Sequence, residues 1–280
     1  MASAVGVNLH DKAQVLRKLH HQPQPLVFVN VWDGASARIV ESLDFPAIAT
    51  TSAGIAYVDG FPDGQAISRE KMLAHVAVIA GAVGVPVTAD LEGGYGPTVE
   101  DAAATARGAI AAGAAGMNFE DSVGGDAPLL PLEAQAARIA AIRSAGDELG
   151  VPFVINARTD VYHLSGSDEA SFTETIARAK AYLDAGADCI FVPFIAEEGL
   201  IGRLAAAIPG PLNVLAGGTS PGVATLANLG VKRISLGSAP AAHLLAAFRR
   251  AALEVRDHGT YDFASDRISH ADLQILLNRS

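Results

Sequence analysis

The sequence is short of several residue types that would narrow its class at once. It carries one cysteine, Cys189, among 280 residues. No disulfide can form within the chain, and this usage fits a reducing compartment. Cys189 lies in the apolar run Asp188-Cys189-Ile190-Phe191-Val192 and reads as a small buried hydrophobe rather than a nucleophile. Basic residues are scarce: 20 Lys and Arg stand against 30 Asp and Glu, a net charge of −10. That balance argues against nucleic acid or an anionic membrane as partner. It leaves room for a small anionic substrate, because one local positive site is enough. No apolar run reaches transmembrane length, and the first residues lack the basic region and apolar core of a signal peptide. A cytoplasmic protein is expected.

What is present is core-forming material. Half of the residues are hydrophobic, rich in Ala and Gly, and only 6% are aromatic. Short apolar runs alternate with longer helical patterns. Eight strands are predicted, at Leu26–Val31, Ala47–Thr51, Val85–Asp90, Gly116–Phe119, Phe153–Arg158, Cys189–Val192, Leu212–Leu215 and Arg233–Leu236. Their continuous apolar character suits parallel strands covered on both faces. Helices are predicted from Ser68 to about Gly84, from Thr98 to Gly113, and at about 132–149, 171–185, 197–208, 220–229 and 239–256. Eight such units without a linker predict one α/β domain over residues 1–280, a single (β/α)₈ barrel. No Gly-x-Gly-x-x-Gly follows the first strand, which weakens a dinucleotide-binding alternative. The tail, about 259–280, carries Ile268, Leu273, Leu276 and Leu277 as one apolar stripe expected to pack on this or another subunit.

In a barrel the chemistry sits at the C-terminal ends of the strands. Three carboxylates converge there: Asp90, Glu92 and Glu120. Like charges this close raise one another's pKa. A divalent cation removes the conflict, and all-oxygen ligands suit Mg²⁺, with Mn²⁺ as the second candidate. Histidine is absent from these ends except His163, a few residues past the fifth strand, which argues against zinc. Arg158 is the one arginine at a strand end, and its planar fork suits a carboxylate, phosphonate or enolate oxygen. An ion pair with Asp160 or Glu120 would still keep it in the site. Ser52-Ala53-Gly54 reads as a small-residue turn whose backbone amides could cradle an anion. Gly217-Gly218-Thr219 and Gly237-Ser238 occupy places where barrels often bind phosphate, a weaker reading here. None of Lys12, Lys18, Lys71, Lys180 and Lys232 ends a strand, which disfavours a Schiff-base aldolase.

Together these residues resemble a known family. Asp90-Leu91-Glu92-Gly93-Gly94-Tyr95-Gly96 is similar to the Asp-x-Asp/Glu-x-Gly-Tyr-Gly signature of the isocitrate lyase/phosphoenolpyruvate mutase superfamily. Thr51-Ser52-Ala53-Gly54, Phe119-Glu120-Asp121 and Ala157-Arg158-Thr159-Asp160 match in order and spacing, as does the first turn from Asn30 through Trp32-Asp33-Gly34-Ala35-Ser36-Ala37. The likeness spans roughly residues 10 to 260, a single-barrel length. It implies a barrel whose last helix is exchanged between subunits, in a dimer or tetramer. It implies that Asp90 binds Mg²⁺ directly and that Glu92 and Glu120 act largely through water. It implies that Ser52, Ala53 and Gly54 hold the substrate carboxylate, that Arg158 and Asn213 contact its oxygens, and that Asp63 lies near it.

The sequence also departs from that family. Its lyases carry a Lys-Lys/Arg-Cys-Gly-His segment after the fourth strand; here the segment is Glu120-Asp121-Ser122-Val123-Gly124-Gly125-Asp126-Ala127-Pro128. The phosphonomutases carry His at the end of the sixth strand, where this chain has Pro193. The reading that best fits is a Mg²⁺-dependent enzyme acting on a small 2-oxo or 2-hydroxy di- or tricarboxylic acid through an enolate held by the metal and Arg158. Decarboxylation of an oxaloacetate-like acid comes first, since it needs no strong acid on the gating loop. Asp121, Ser122 and Asp126 are expected on a mobile lid. The alternatives are a carbon–carbon lyase on a substituted malate or methylisocitrate-like acid, with a proton donor such as Tyr57; a phosphonopyruvate-type carbon–phosphorus enzyme; a more distant hydroxymethyltransferase; and a non-catalytic barrel that binds a carboxylate metabolite.

Overall fold

The computed structural model describes residues 8–122 and 128–278. Eight parallel strands are found: β1 (Leu26–Phe28), β2 (Ile48–Ala49), β3 (Val87–Asp90), β4 (Gly116–Glu120), β5 (Val154–Arg158), β6 (Cys189–Val192), β7 (Leu212–Leu215) and β8 (Arg233–Ser235). They pair in sequence order, and β8 pairs with β1. The seam between β1 and β2 is closed by a single parallel bridge, Val31 to Thr50. There the Val31 N–H donates to Ala49 O (2.9 Å) and the Thr51 N–H to Val31 O (3.0 Å). That thin seam explains why β1 and β2 are shorter than the apolar runs that encode them. The structure is an α/β TIM-type barrel.

The surrounding helices are α1 (Leu9–Leu19), α2 (Gly34–Ser42), α3 (Ser52–Val58), α4 (Arg69–Ala82), α5 (Val99–Ala111), α6 (Leu132–Glu148), α7 (Val161–Ser165), α8 (Glu169–Asp184), α9 (Glu198–Ala207), α10 (Val223–Asn228), α11 (Ala239–His258) and α12 (His270–Leu277). The predicted starts at Ser68 and Thr98 are side-chain caps: Ser68 accepts from the Lys71 N–H, and Thr98 and Asp101 cap each other reciprocally. Two predicted turns are helices instead. Asp33 and Ser36 form a capping box that starts α2 directly after β1. Thr51 caps α3, so Ser52-Ala53-Gly54 is a first helical turn rather than a tight loop.

One helix was not legible as part of the barrel. Helix α1 precedes the first strand and reaches the N-terminal ends of the strands. Its Leu16 is buried beside Gly116, at the start of β4. At its end the His20 imidazole donates through Nδ1 to Leu16 O (2.8 Å) and faces Arg233 Nη1 through Nε2 (3.3 Å). Burial, reinforced by Arg233, pushes the His20 pKa down to about 3, so this imidazole is neutral. Arg233 is fully buried over the Phe28 ring (4.6 Å) and donates to Asn118 Oδ1 (3.1 Å).

The end of the chain departs from a completed helical ring. Helix α11 has 20 residues but buries only Ala241. Leu244, Leu245 and Phe248 are 55%, 50% and 72% exposed. The tail returns through α12 to α2, where Arg38 donates to the carbonyls of Leu276 (3.0 Å) and Asn278 (2.9 Å). Of the predicted apolar stripe, Leu273 and Leu276 are half-buried, while Ile268 and Leu277 stay exposed. No helix among the described residues is long and apolar enough to cross a membrane.

Gly116 tests the tight packing at the barrel's base. A Cβ there would lie 2.5 Å from the carbonyl oxygen of Val154, which is backbone and cannot swing away. Gly116→Ala is therefore expected to lower the unfolding free energy by about 1–3 kcal/mol, read as a shifted urea midpoint; an unchanged midpoint would show that β4 and β5 can part at no cost.

Candidate active site

Register places the chemistry. Glu120 and Arg158 are partners across β4 and β5, the last residue of each strand, so their side chains share a face. Arg158 Nη1 lies 2.9 Å from Glu120 Oε2, and its Nε donates to Asp160 Oδ1 at 2.7 Å. Ser122 bridges the same two acids, donating to Glu120 Oε1 (3.3 Å) and Asp160 Oδ2 (3.1 Å). Burial lowers the Arg158 pKa, but Glu120 and Asp160 outweigh it and hold the guanidinium above its ordinary value.

Asp90 ends β3 and is fixed from α3. Its Oδ2 accepts from both the N–H (2.9 Å) and the hydroxyl (2.8 Å) of Ser52. The Gly54 N–H points to its cap, Thr51 Oγ1 (3.4 Å). Two of the three amides expected to cradle a carboxylate are thus engaged within the chain. Gly54 has a packing role as well: a Cβ there would sit 2.6 Å from Thr51 Cγ2 and 3.0 Å from Trp32 Cβ. Ala53 is buried beside it.

The loop after β3 is backbone under constraint. Glu92 (φ 51°) and Tyr95 (φ 59°) are left-handed, as is Gln65 (φ 60°) opposite them. Glu92 accepts from the Gln65 N–H (2.5 Å) and the Tyr95 hydroxyl (3.2 Å), while the Tyr95 N–H donates to Gln65 Oε1 (2.8 Å). From beneath, the buried Arg138 of α6 donates to the carbonyls of Gly93 and Gly96 and lies over the Phe119 ring (4.6 Å). Its neighbour Gln135 donates to Glu120 O (3.0 Å). One helix thus holds the loop after β3 and the end of β4 together.

These groups face a cavity of about 260 Å³ lined by Ser52, Asp63, Glu92, Glu120, Arg158 and His163, with Gly64, Ser122 and Phe194. Burial, with Asp90 and Asp63 nearby, pushes Glu92 up to about 7. Burial pushes Glu120 up to about 8 against the pull of Arg158, helped by Asp160 and Asp90. Asp63 is raised by burial and by Asp90. His163 stacks on Phe194, centroids 4.6 Å apart. Among the described residues no group of three or more His, Cys, Asp or Glu is arranged to hold a metal ion by itself.

Other expectations shift. Asp121 and Ser122 are not lid residues: they are buried, at 0% and 2% exposure. Asp121 accepts from Tyr182 (2.8 Å), Arg178 (3.2 Å) and the Asp160 N–H (3.0 Å), which makes it a brace beneath the site. Asp126 lies outside the described residues. Tyr57 is on α3 but does not line the cavity. Asn213 is buried on β7, accepting from Ser235 (3.0 Å), and does not line the cavity either. Gln65, Phe194 and Arg138 had no assigned role from sequence, and Asp160 was expected only as an ion-pair partner of Arg158 within a recognised motif.

Residues 16–256 match the family model for phosphoenolpyruvate phosphomutase. The chain belongs to that family. It is 38% identical over 241 residues to an uncharacterised protein of Mycobacterium tuberculosis, covering 85% of this chain and 88% of that one. It is 31% identical to the 2-methylisocitrate lyase of Escherichia coli, covering 77% and 74%. Among solved structures, a Burkholderia cenocepacia protein assigned as a lyase/mutase superposes with a TM-score of 0.89 at 40% identity, covering 95% and 96%. Oxaloacetate acetylhydrolase bound to oxalate superposes at 0.86 with 28% identity, covering 95% and 93%. The family's lyase relatives agree with the expectation of a carbon–carbon lyase of the isocitrate lyase/phosphoenolpyruvate mutase superfamily.

The raised carboxyls set a sign for stability. A carboxyl whose folded pKa lies above its unfolded one favours the fold when protonated, so its contribution is complete below about pH 4.5 and is lost as pH rises through the folded value. For Glu92 that loss runs from pH 4.5 to about 7. In chelator-treated protein, Glu92→Gln should gain unfolding free energy over wild type progressively across that window. A constant difference between the two, measured by urea titration at each pH, would show that Glu92 carries no such strain.

Proposed function

We propose that this chain is a divalent-cation-dependent enzyme that cleaves a bond at C3 of a small 2-oxo or 2-hydroxy acid, leaving an enolate. The observation that carries the reading is the charge pattern of the cavity. Among the described residues three carboxylates, Asp63, Glu92 and Glu120, line it with one guanidinium, Asp90 and Asp160 are hydrogen-bonded to the lining residues Ser52 and Arg158, and all three lining carboxyls have raised pKa values. Such a set suits a hard divalent ion. Mg²⁺, or Mn²⁺, would be held by Asp90 directly and by Glu92 and Glu120 through water. When bound it supplies Lewis-acid stabilisation of negative charge developing on substrate oxygens.

The chain's own residues do the rest. Arg158 is fixed by Glu120 and Asp160, so its remaining N–H groups are preorganised for a substrate oxygen that gains charge as the C3 bond breaks. Ser52 aligns Asp90, and Asp63 borders the substrate space. Decarboxylation of an oxaloacetate-type acid is the first choice, because the segment after β4 has no Cys, Lys or His to serve as a strong acid. Carbon–carbon cleavage of a substituted malate is the second, supported by relatives named 2-methylisocitrate lyase and 2,3-dimethylmalate lyase.

We also propose that the chain assembles as a dimer or tetramer in which α11 crosses to a neighbour. Its apolar residues Leu244, Leu245 and Phe248 are exposed. An apolar groove formed by Val31, Trp32, Ile39 and Val40 with Pro240 and Leu244 of α11 adds apolar surface beside them, which supports the reading.

Two measurements decide these points. Mg²⁺-dependent consumption of oxaloacetate, phosphonopyruvate, methylisocitrate and dimethylmalate should be found for one member of the panel. It should fall by about 10²-fold or more in Arg158→Lys, the scale of a lost transition-state donor, and vanish in Asp90→Ala. Full activity in Asp90→Ala would sink the cation reading. For assembly, Phe248→Asp should sediment as a monomer where wild type does not; equal sedimentation would reject the crossed helix.

A further inference from the structure

An enolate formed at C3 becomes a stable acid only when that carbon takes up a proton. The segment after β4 has no Cys, Lys or His to give it. The cavity wall holds other proton carriers. Among the described residues that line it, Ser52 is engaged by Asp90, and Ser122 by Glu120 and Asp160. Arg158 is a fixed cation between two acids. Glu92 and Glu120 face the proposed divalent ion and are 5% and 7% exposed, so neither can readily regain a proton from water. Asp63 and His163 remain as candidates for the proton.

Their places in the barrel differ. Asp63 follows β2 and feels the charge of Asp90 at the end of β3, so it stands on the side of the proposed ion. His163 lies on α7, after β5, and stacks on Phe194, after β6, with centroids 4.6 Å apart and planes at 29°. In a ring of eight strands in sequence order, β2 and β6 are opposite one another. The Arg158 guanidinium lies 5.8 Å from the same Phe194 ring, so imidazole and guanidinium share one aromatic neighbour. Phe194 itself is held in a left-handed backbone (φ 62°), a costly conformation for a support that orients another ring. A 2-oxo oxygen at Arg158 puts C3 two bonds away, in the space that His163 lines. His163 is also exposed, so an imidazole that gives up a proton there can regain one from water. Imidazole is the side chain best suited as a type to such transfer near neutral pH.

We propose that His163 is the general acid that protonates C3 of the enolate. This rests on the reading of the cavity as an enolate-forming 2-oxo acid site. In decarboxylation of an oxaloacetate-type acid the C3–C4 bond breaks, CO₂ leaves, and the electron pair is shared by C3 and the 2-oxo oxygen. An N–H bond of the His163 imidazolium then breaks, a C3–H bond forms, and pyruvate results. The neutral imidazole takes its next proton from water.

The same proton transfer run backwards gives the test. Exchange of the pyruvate methyl hydrogens in D₂O would be followed by proton NMR on the full chain with Mg²⁺, over the rate with Mg²⁺ alone. Oxalate binding with Mg²⁺ would be measured beside it by calorimetry, because oxalate carries the enolate's oxygens and no methyl carbon. Wild type should exchange. His163→Gln should slow exchange by about 10²-fold or more and bind oxalate as wild type does. Exchange at the wild-type rate in His163→Gln would overturn the assignment, and its loss in Asp63→Asn with His163→Gln still active would give the proton to Asp63 instead. Wild type that binds oxalate without exchanging would overturn it too, as would His163→Gln that loses oxalate binding along with exchange, since the residue would then shape the site rather than move the proton. Wild type that neither binds oxalate nor exchanges would reject the 2-oxo acid reading itself, and the donor with it.

Discussion

Arg158 sits between two carboxylates that it pairs with, Asp63 and Asp90 also feel its charge, and the mouth of the barrel is arranged around that imbalance. A half-buried guanidinium at a strand end costs desolvation unless acids repay it. Glu120 and Asp160 do so, and Ser122 ties them to each other. Beyond that pair, Asp63, Asp90 and Glu92 are in excess. Burial and mutual repulsion raise Asp63 and Glu92. The imbalance is what makes the cavity receptive to positive charge, and the fixed Arg158 is what makes it receptive to an anion. Both properties follow from one register, Glu120 opposite Arg158.

Holding so much like charge in one place requires support from outside it. Asp121 sits directly after Glu120 and is anchored by Arg178 and Tyr182 of α8. Arg138 and Gln135 of α6 hold carbonyls on the loop after β3 and at the end of β4. These buried groups touch no substrate space. They fix the backbone on which the acids are mounted, so that repulsion cannot be relieved by the strands drifting apart.

Much of this was legible from the residues alone. Eight apolar runs marked eight strands, because parallel strands covered on both faces need continuous apolar sequence. Ser68 and Thr98 marked helix starts, because an oxygen side chain ahead of a helix meets its free amides. Glu92, Glu120, Ser52 and Arg158 line one cavity as the strand-end rule requires, with Asp90 held to it through Ser52, and Asp63, expected only from the family resemblance, lines it too. What escaped was long-range. Asp121 looks like a loop acid until Arg178, 57 residues later, is seen beside it. Gln65 and Phe194 carry no local mark at all, since nothing in their neighbours' identities announces a left-handed backbone. Tyr57 was named as a stand-in proton donor for a lyase, but it does not line the cavity. Asn213 was placed at the substrate by the family resemblance, yet its partner is Ser235 within the barrel.

The left-handed residues carry a consequence for how this protein can change. Of the five non-glycine residues with positive φ among the described residues, four (Gln65, Glu92, Tyr95 and Phe194) border or support the active-site cavity. Each such position costs of order 1–3 kcal/mol, so the mouth of the barrel is a place where the fold spends stability. Glycine would relieve that cost at any of them and would remove the side chain that justifies it. Selection for thermal robustness and selection for chemistry therefore pull in opposite directions at the same four codons, and descendants of this chain would be expected to gain heat tolerance elsewhere, in the outer helices, before touching the rim.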